Sequence, residues 1–137
     1  MVGKNLLFFY SELFNLWQWI YNEAMTTLIS CDTVIDYVRG IHLQRDDWYE
    51  GDLEERLRRF AHYELRTIEL TKDMTEQWLI HEDKSLDYQE RPFPAPPIVF
   101  DELMNEVIDG AHRCHAYWHR GQRAILAYVG VAEPAVS

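Results

Sequence analysis

Cysteine is scarce in this chain of 137 residues: Cys31 and Cys114 are the two present, and no Cys-x-x-Cys spacing occurs. That excludes a disulfide framework and a zinc ribbon. Positive charge is also short. Thirteen Lys and Arg stand against twenty-three Asp and Glu, a net charge of −10. A nucleic-acid binder needs clustered cations facing the phosphates, and an anionic membrane asks for the same, so neither is an expected partner. Long apolar runs are missing as well. Lys4, Asn5, Ser11, Glu12, Asn15 and Gln18 interrupt the apolar start of the chain, which rules out both a signal peptide and a membrane span there. A reduced, cytoplasmic protein is the resulting expectation. Internal repeats, low-complexity segments, Gly-rich phosphate loops and nucleophile elbows are likewise missing.

Aromatic and apolar residues, by contrast, are plentiful. Hydrophobic residues make up 47%, with five Trp, eight Tyr and six Phe, enough to fill the core of one domain spanning 1–137. Leu6, Phe9, Leu13, Trp17, Ile20, Ala24 and Leu28 recur at three- and four-residue steps and predict a first helix over 5–28. Thr33 with Asp36 reads as a capping box, opening a second helix with Val34, Val38, Ile41, His42 and Trp48 along one side. Asp52 caps a third helix over about 53–76, burying Leu53, Leu57, Phe60, Ala61 and Ile68. Pro92, Pro94, Pro96 and Pro97 exclude helix from the following stretch, within which 77–81 and 86–90 suit a short irregular hairpin. Asp101 caps a long last helix through about 128, ended by Gly130 and Pro134. The predicted fold is all-α, a four-helix bundle with one long Pro-containing crossover between helices 3 and 4.

The chemistry concentrates in the last predicted helix, where His112, His115 and His119 crowd together. His115 and His119 are four apart, so both imidazoles can reach one metal ion. Two exposed histidines, or two core histidines bonded to carbonyls, satisfy the same spacing. Ile108, Ala111, His115, Trp118, Gln122 and Val129 trace an inward seam on this reading, and His42 occupies the apolar face of the second helix. Buried imidazoles need partners, and a cation would satisfy two at once. Gly121 marks either tight helix packing or a functional contact. Gln122 either orients a ligand or satisfies a backbone group. Asp46, one turn after His42, and Glu64, on the third helix, are the candidate acid–base carboxylates; a solvated acidic face with Asp47 explains Asp46 equally well. Arg120 is expected to pair with an acidic residue on a neighbouring helix.

The segment His115-Ala-Tyr-Trp-His119-Arg120-Gly121-Gln122, followed by Ala124-Ile-Leu-Ala-Tyr-Val-Gly130, resembles the C-terminal signature of the DinB-like family. These are small four-helix bundles regarded as metalloenzymes and related to thiol-dependent transferases. Gly40-Ile-His42-Leu-Gln-Arg-Asp46-Asp-Trp48 is similar to the family's second helix. The resemblance implies a metal triad of His42, His115 and His119 with an open fourth position, Gln122 and Trp118 standing behind it. Zinc or nickel would both suit such ligands. It departs from the family at Trp118 and Ala111, where relatives often carry histidine, and at His112, which is offset by one position. The function implied is metal-dependent thiol transfer to a small molecule, with a low-molecular-weight thiol as co-substrate, or metal-assisted hydrolysis, in a candidate homodimer. The alternative is a non-catalytic acidic bundle that binds a basic partner, as an immunity or inhibitor protein does.

Overall fold

The computed structural model describes residues 28–44 and 52–132. The predicted first helix lies almost wholly outside them, as do Asp46 and Trp48. Between them the described residues form five strands and five helices. In chain order these are β1 (Ile29–Ser30), α1 (Cys31–Gln44), α2 (Asp52–Leu57), β2 (His62–Glu69), α3 (Lys72–Glu76), α4 (Glu82–Glu90), β3 (Ile98–Asp101), β4 (Glu106–Asp109), α5 (Ala111–His119) and β5 (Ala124–Gly130). The protein is therefore mixed α/β, and the four-helix-bundle expectation is corrected.

All five strands belong to one sheet, ordered β1-β2-β5-β3-β4. β2 pairs with β5 antiparallel along its length, Tyr63 opposite Gly130 through Glu69 opposite Ala124. β3 runs parallel to β5 and antiparallel to β4. Side chains alternate across the sheet, as strands require. Ile98, Phe100, Val107, Ile125, Ala127 and Val129 feed one buried cluster with Met74 of α3 and with Cys114 and Tyr117 of α5. Tyr63, Val99 and Ile108 feed the other, with Val34, Ile35 and Val38 of α1 and Leu57 of α2. The result is a sheet between two helical layers, α1 and α2 on one face, α3 and α5 on the other. α4 packs on α5, where Ser85 and Tyr88 are buried.

The predicted elements gave way for identifiable reasons. The third predicted helix ends at Leu57 and is replaced by β2, whose Tyr63, Thr67 and Ile68 favour an extended chain. The Pro-rich stretch does exclude helix, but only from Arg91 onward; α4 occupies much of the segment predicted to be loop, and ends before Pro92. The long last helix is three elements. Gly110 (φ +106°) separates β4 from α5, and Gly121 (φ +79°) separates α5 from β5. Both conformations are open to glycine at little cost and strained for other residues. No atom lies within 4 Å of a Cβ built on Gly121. Its role is the turn, and the tight-packing reading is corrected.

α1 matches its predicted position. Its cap is Ser30 rather than Thr33: the Ser30 hydroxyl accepts from the Thr33 amide at 3.2 Å. No helix among the described residues is long and apolar enough to cross a membrane.

Candidate functional site

The three histidines of the expected triad fall on two sides of the sheet. His42 ends α1, in the layer packed on Val99 and Ile108, whereas α5 packs on the opposite face. His42 reaches round the end of β4 to Asp109, its Nε2 2.7 Å from Oδ1. His115 instead turns towards α4, where its Nδ1 lies 2.7 Å from the Ser85 hydroxyl. Among the described residues no group of three His, Cys, Asp or Glu could hold a metal ion. The four-helix bundle that would have joined the three ligands is corrected, and His42 is placed beside Asp109 rather than with His115 and His119.

The other candidates also find different surroundings. Cys114 and Tyr117, not His115, are the inward residues of α5. Trp118 is half-buried against the core, with the Arg123 guanidinium 3.5 Å above its ring. Gln122 is exposed in the turn after α5, where its amide donates to the Tyr117 carbonyl. Glu64 sits in β2, within 3.4 Å of Arg66. Arg120 donates to the carbonyls of Arg91 and Tyr88 and lies 3.5 Å over Phe93, so the carboxylate partner expected for it is replaced by backbone and a ring face.

What the fold brings together is a histidine-lined seam between α4 and α5. Four of the six histidines line it: His81, His112, His115 and His119. At one end the His81 amide donates to His112 Nε2 at 3.0 Å, and the two rings stack with centroids 5.7 Å apart and an interplanar angle of 22°. His81 is the N-cap of α4 and His112 sits in the first turn of α5, so this contact joins two helix starts. Neither start has a side-chain cap, and α5 has no acidic residue in its first turn. Because His112 Nε2 accepts a hydrogen bond, the neutral ring carries its hydrogen on Nδ1.

Further along, His115 and His119 have ring centroids 4.3 Å apart and Nε2 atoms 3.1 Å apart. One hydrogen must lie between those nitrogens, since two lone pairs at that distance would repel. Ser85, fully buried, accepts from Gln89 Nε2 at 3.1 Å and holds His115 from the other side. Burial and the neighbouring His119 lower the pKa of His115, while Glu82 opposes them. Its ring is neutral at neutral pH.

Behind the seam, a buried polar network fixes where α5 starts. Arg113, 2% exposed, donates from Nη2 to Asp109 Oδ2 at 2.7 Å and from Nη1 to the carbonyls of Pro96 and Pro97. Burial alone would raise the Asp109 pKa; the hydrogen bond from His42 and the Arg113 charge outweigh it, so the carboxyl stays below its ordinary range. Both its oxygens are occupied, and its negative charge is neutralised within the protein.

No family model, curated protein or solved structure matches the chain.

Sequence reasoning missed His81, Ser85 and Gly110 and left His112 out of the expected triad. A signal for Gly110 was present: Val107-Ile108 gives a β-branched start, Gly110 breaks it, and a helix-favouring run follows. Nothing local ties His81 to His112, which are 31 positions apart.

Proposed function

We propose that the protein binds a small phosphate-bearing anion at the seam between α4 and α5. The contact between His81 and His112 carries this reading, because it sets two uncapped helix starts side by side under a pair of imidazoles. The first amides of a helix have no partner within the helix, and the aligned peptide dipoles make its start favourable for negative charge. Phosphate at such a place gains hydrogen bonds as well as charge. Glu82 and Asp83 occupy the first turn of α4. They favour a singly charged ligand over a dianion, which places the phosphodiester class ahead of monoesters. The thiol-transfer reading rests on the DinB-like resemblance, whose four-helix bundle this chain does not form.

Dimethyl phosphate is a suitable probe, since its single charge is constant across the imidazole range. Titrated into isotopically labelled protein, it is expected to give saturable amide shifts at Ala111, His112 and Arg113, with Glu82 following. His112→Ala is expected to weaken binding about tenfold, the cost of one charge-assisted hydrogen bond. Unsaturable shifts, or shifts centred elsewhere, would overturn the reading.

A further inference from the structure

We infer that the cleft between the end of α3 and the β3–β4 turn docks a basic segment of another protein, one in which a lysine or arginine stands between apolar residues. This surface does not depend on the anion-binding reading above. Four large apolar side chains of the described residues stand exposed in two short stretches: Trp78 is 42% exposed, Leu79 80%, and Leu103 and Met104 71% each. Grouped apolar exposure of this kind marks a contact surface. Trp78 and Met104 line one cleft of about 400 Å³ together with Asp73, Gln77, Asn105 and Glu106.

Hydrogen bonds hold the walls of the cleft in place. Gln77 donates from Nε2 to the Asn105 carbonyl, and Asn105 Nδ2 donates to Asp73 Oδ2 at 2.9 Å, which ties the turn to α3. Asp101 Oδ1 accepts from the Met104 amide at 3.1 Å and sets the backbone of the turn itself. β4 is an edge of the sheet, yet Gln77 Oε1 accepts from the Val107 amide and Trp78 Nε1 donates to the Val107 carbonyl, each at 2.7 Å. Pairing of a further strand is thereby blocked at Val107. Recognition here has to come through side chains.

Charge names the occupant. Arg56 and Arg59 are held by Glu106 at 3.4 and 2.8 Å, Arg59 also by Asp101 at 3.6 Å, Lys72 by Glu76 at 3.7 Å and Arg66 by Glu102 at 3.0 Å. Asp73 instead accepts amide hydrogens, from Gln77 at 3.0 Å and from Asn105, and among the described residues no cation pairs with it. Neutral donors orient a carboxylate without cancelling its charge. A cation on an apolar stem complements that arrangement, its methylenes lying along Trp78 and Met104 while its head reaches Asp73. Arg56 already lies 4.7 Å over the Trp78 ring, so the incoming cation pairs with the carboxylate rather than with the indole face. The net charge of −10 steers such a partner towards the chain.

The blocked peptide acetyl-Leu-Lys-Leu-amide, titrated into the isotopically labelled full chain, tests the cleft. Saturable shifts are expected at the Trp78 indole N–H and at the Met104 amide and methyl. Asp73→Asn keeps an oxygen for both amides and should weaken binding about threefold to fivefold, the scale of one exposed ion pair. The uncharged peptide with norleucine in place of lysine should bind wild type that much more weakly, and Asp73→Asn no worse than wild type. Met104→Ser, at an exposed position, should weaken both peptides about twofold to threefold. Added salt should weaken the lysine peptide alone. Shifts that fail to saturate or centre away from Trp78, or a lysine peptide bound no better than the norleucine one, would overturn the proposal. So would a dimer in sedimentation with shifts at Trp78 and Met104 that follow chain concentration without peptide, since a second copy would then fill the cleft.

Discussion

Arg113→Met is expected to lose about 3–5 kcal/mol of stability at neutral pH, the cost of leaving one member of a buried ion pair unmatched. For a domain of this size that is a drop in Tm of roughly 10–20 °C. Methionine fills a similar length without strain, so the loss reports on the polar network. Arg113 satisfies four separate groups: the Asp109 carboxylate, the carbonyls of Pro96 and Pro97, and the Tyr37 hydroxyl. Removing it strands an acid with a single remaining partner, His42, in a site where burial opposes its charge. The pH dependence follows from the same balance. Asp109 in the folded wild type has a pKa below its unfolded value, which is about 3.9. Its contribution is therefore present in full above that value and is lost as pH falls through the folded pKa. In the variant, burial prevails and the carboxyl protonates more readily. The gap in Tm between wild type and Arg113→Met should narrow towards acid pH. A double variant with Asp109→Asn should be less damaged at neutral pH than the single one, since the stranded charge is gone. Thermal melts across pH would check both, and an equal gap at every pH would contradict the assignment.

Much of this network was illegible because its members come from three distant places in the chain: His42, the Pro96-Pro97 pair, and Asp109 with Arg113. Asp109 and Arg113 sit four apart, yet the long-helix reading put both on one continuous helix, where they would form an ordinary surface pair. The structure puts Asp109 at the end of a strand and Arg113 in the first turns of the next helix, with Gly110 between. α1 was legible because its apolar signal was local, with Val34 and Val38 on one face, although its cap is Ser30 and not the Thr33–Asp36 pair. β2 and β5 were misread for a physical reason. Leu57, Phe60 and Ile68 fit a helical stripe by spacing, yet Ile68 packs in a different cluster from the other two. The run Ala124-Ile-Leu-Ala-Tyr-Val is apolar on both faces, as a strand buried in the middle of a sheet must be, and such a run has no period to choose between helix and strand. His115 and His119 were correctly seen as neighbours, since four-residue spacing on a helix guarantees that much. What faced them was set by α4, a helix the Pro-rich reading had assigned to loop.

Gly110→Ala combines two penalties that can be separated. At φ +106° an alanine is strained, at a cost on the order of 1–3 kcal/mol. Its Cβ would also lie 2.5 Å from Ile98 Cγ2 and 3.1 Å from Arg113 Cζ, a clash with a side chain that is 0% exposed. Overpacking of this kind costs about 1–3 kcal/mol. The sum, about 2–6 kcal/mol, is comparable to the total stability of a marginal domain. Ile98→Ala removes the Cγ2 contact but keeps the Ile98 Cβ, 2.8 Å from the added Cβ, and leaves φ unchanged. Measured in that background by denaturant unfolding, the cost of Gly110→Ala should fall by the Cγ2 part of the overpacking, and the remaining loss combines backbone strain with the Cβ contact. The variant also bears on function. β4 ends at Asp109 and α5 begins at Ala111, so any shift that relieves the Ile98 contact moves the amides at the start of α5. Dimethyl phosphate affinity should then drop even at temperatures where Gly110→Ala is fully folded, and Ile98→Ala should restore part of it. If affinity in the folded single variant matched wild type, the start of α5 would not be what holds the anion, whatever the stability cost.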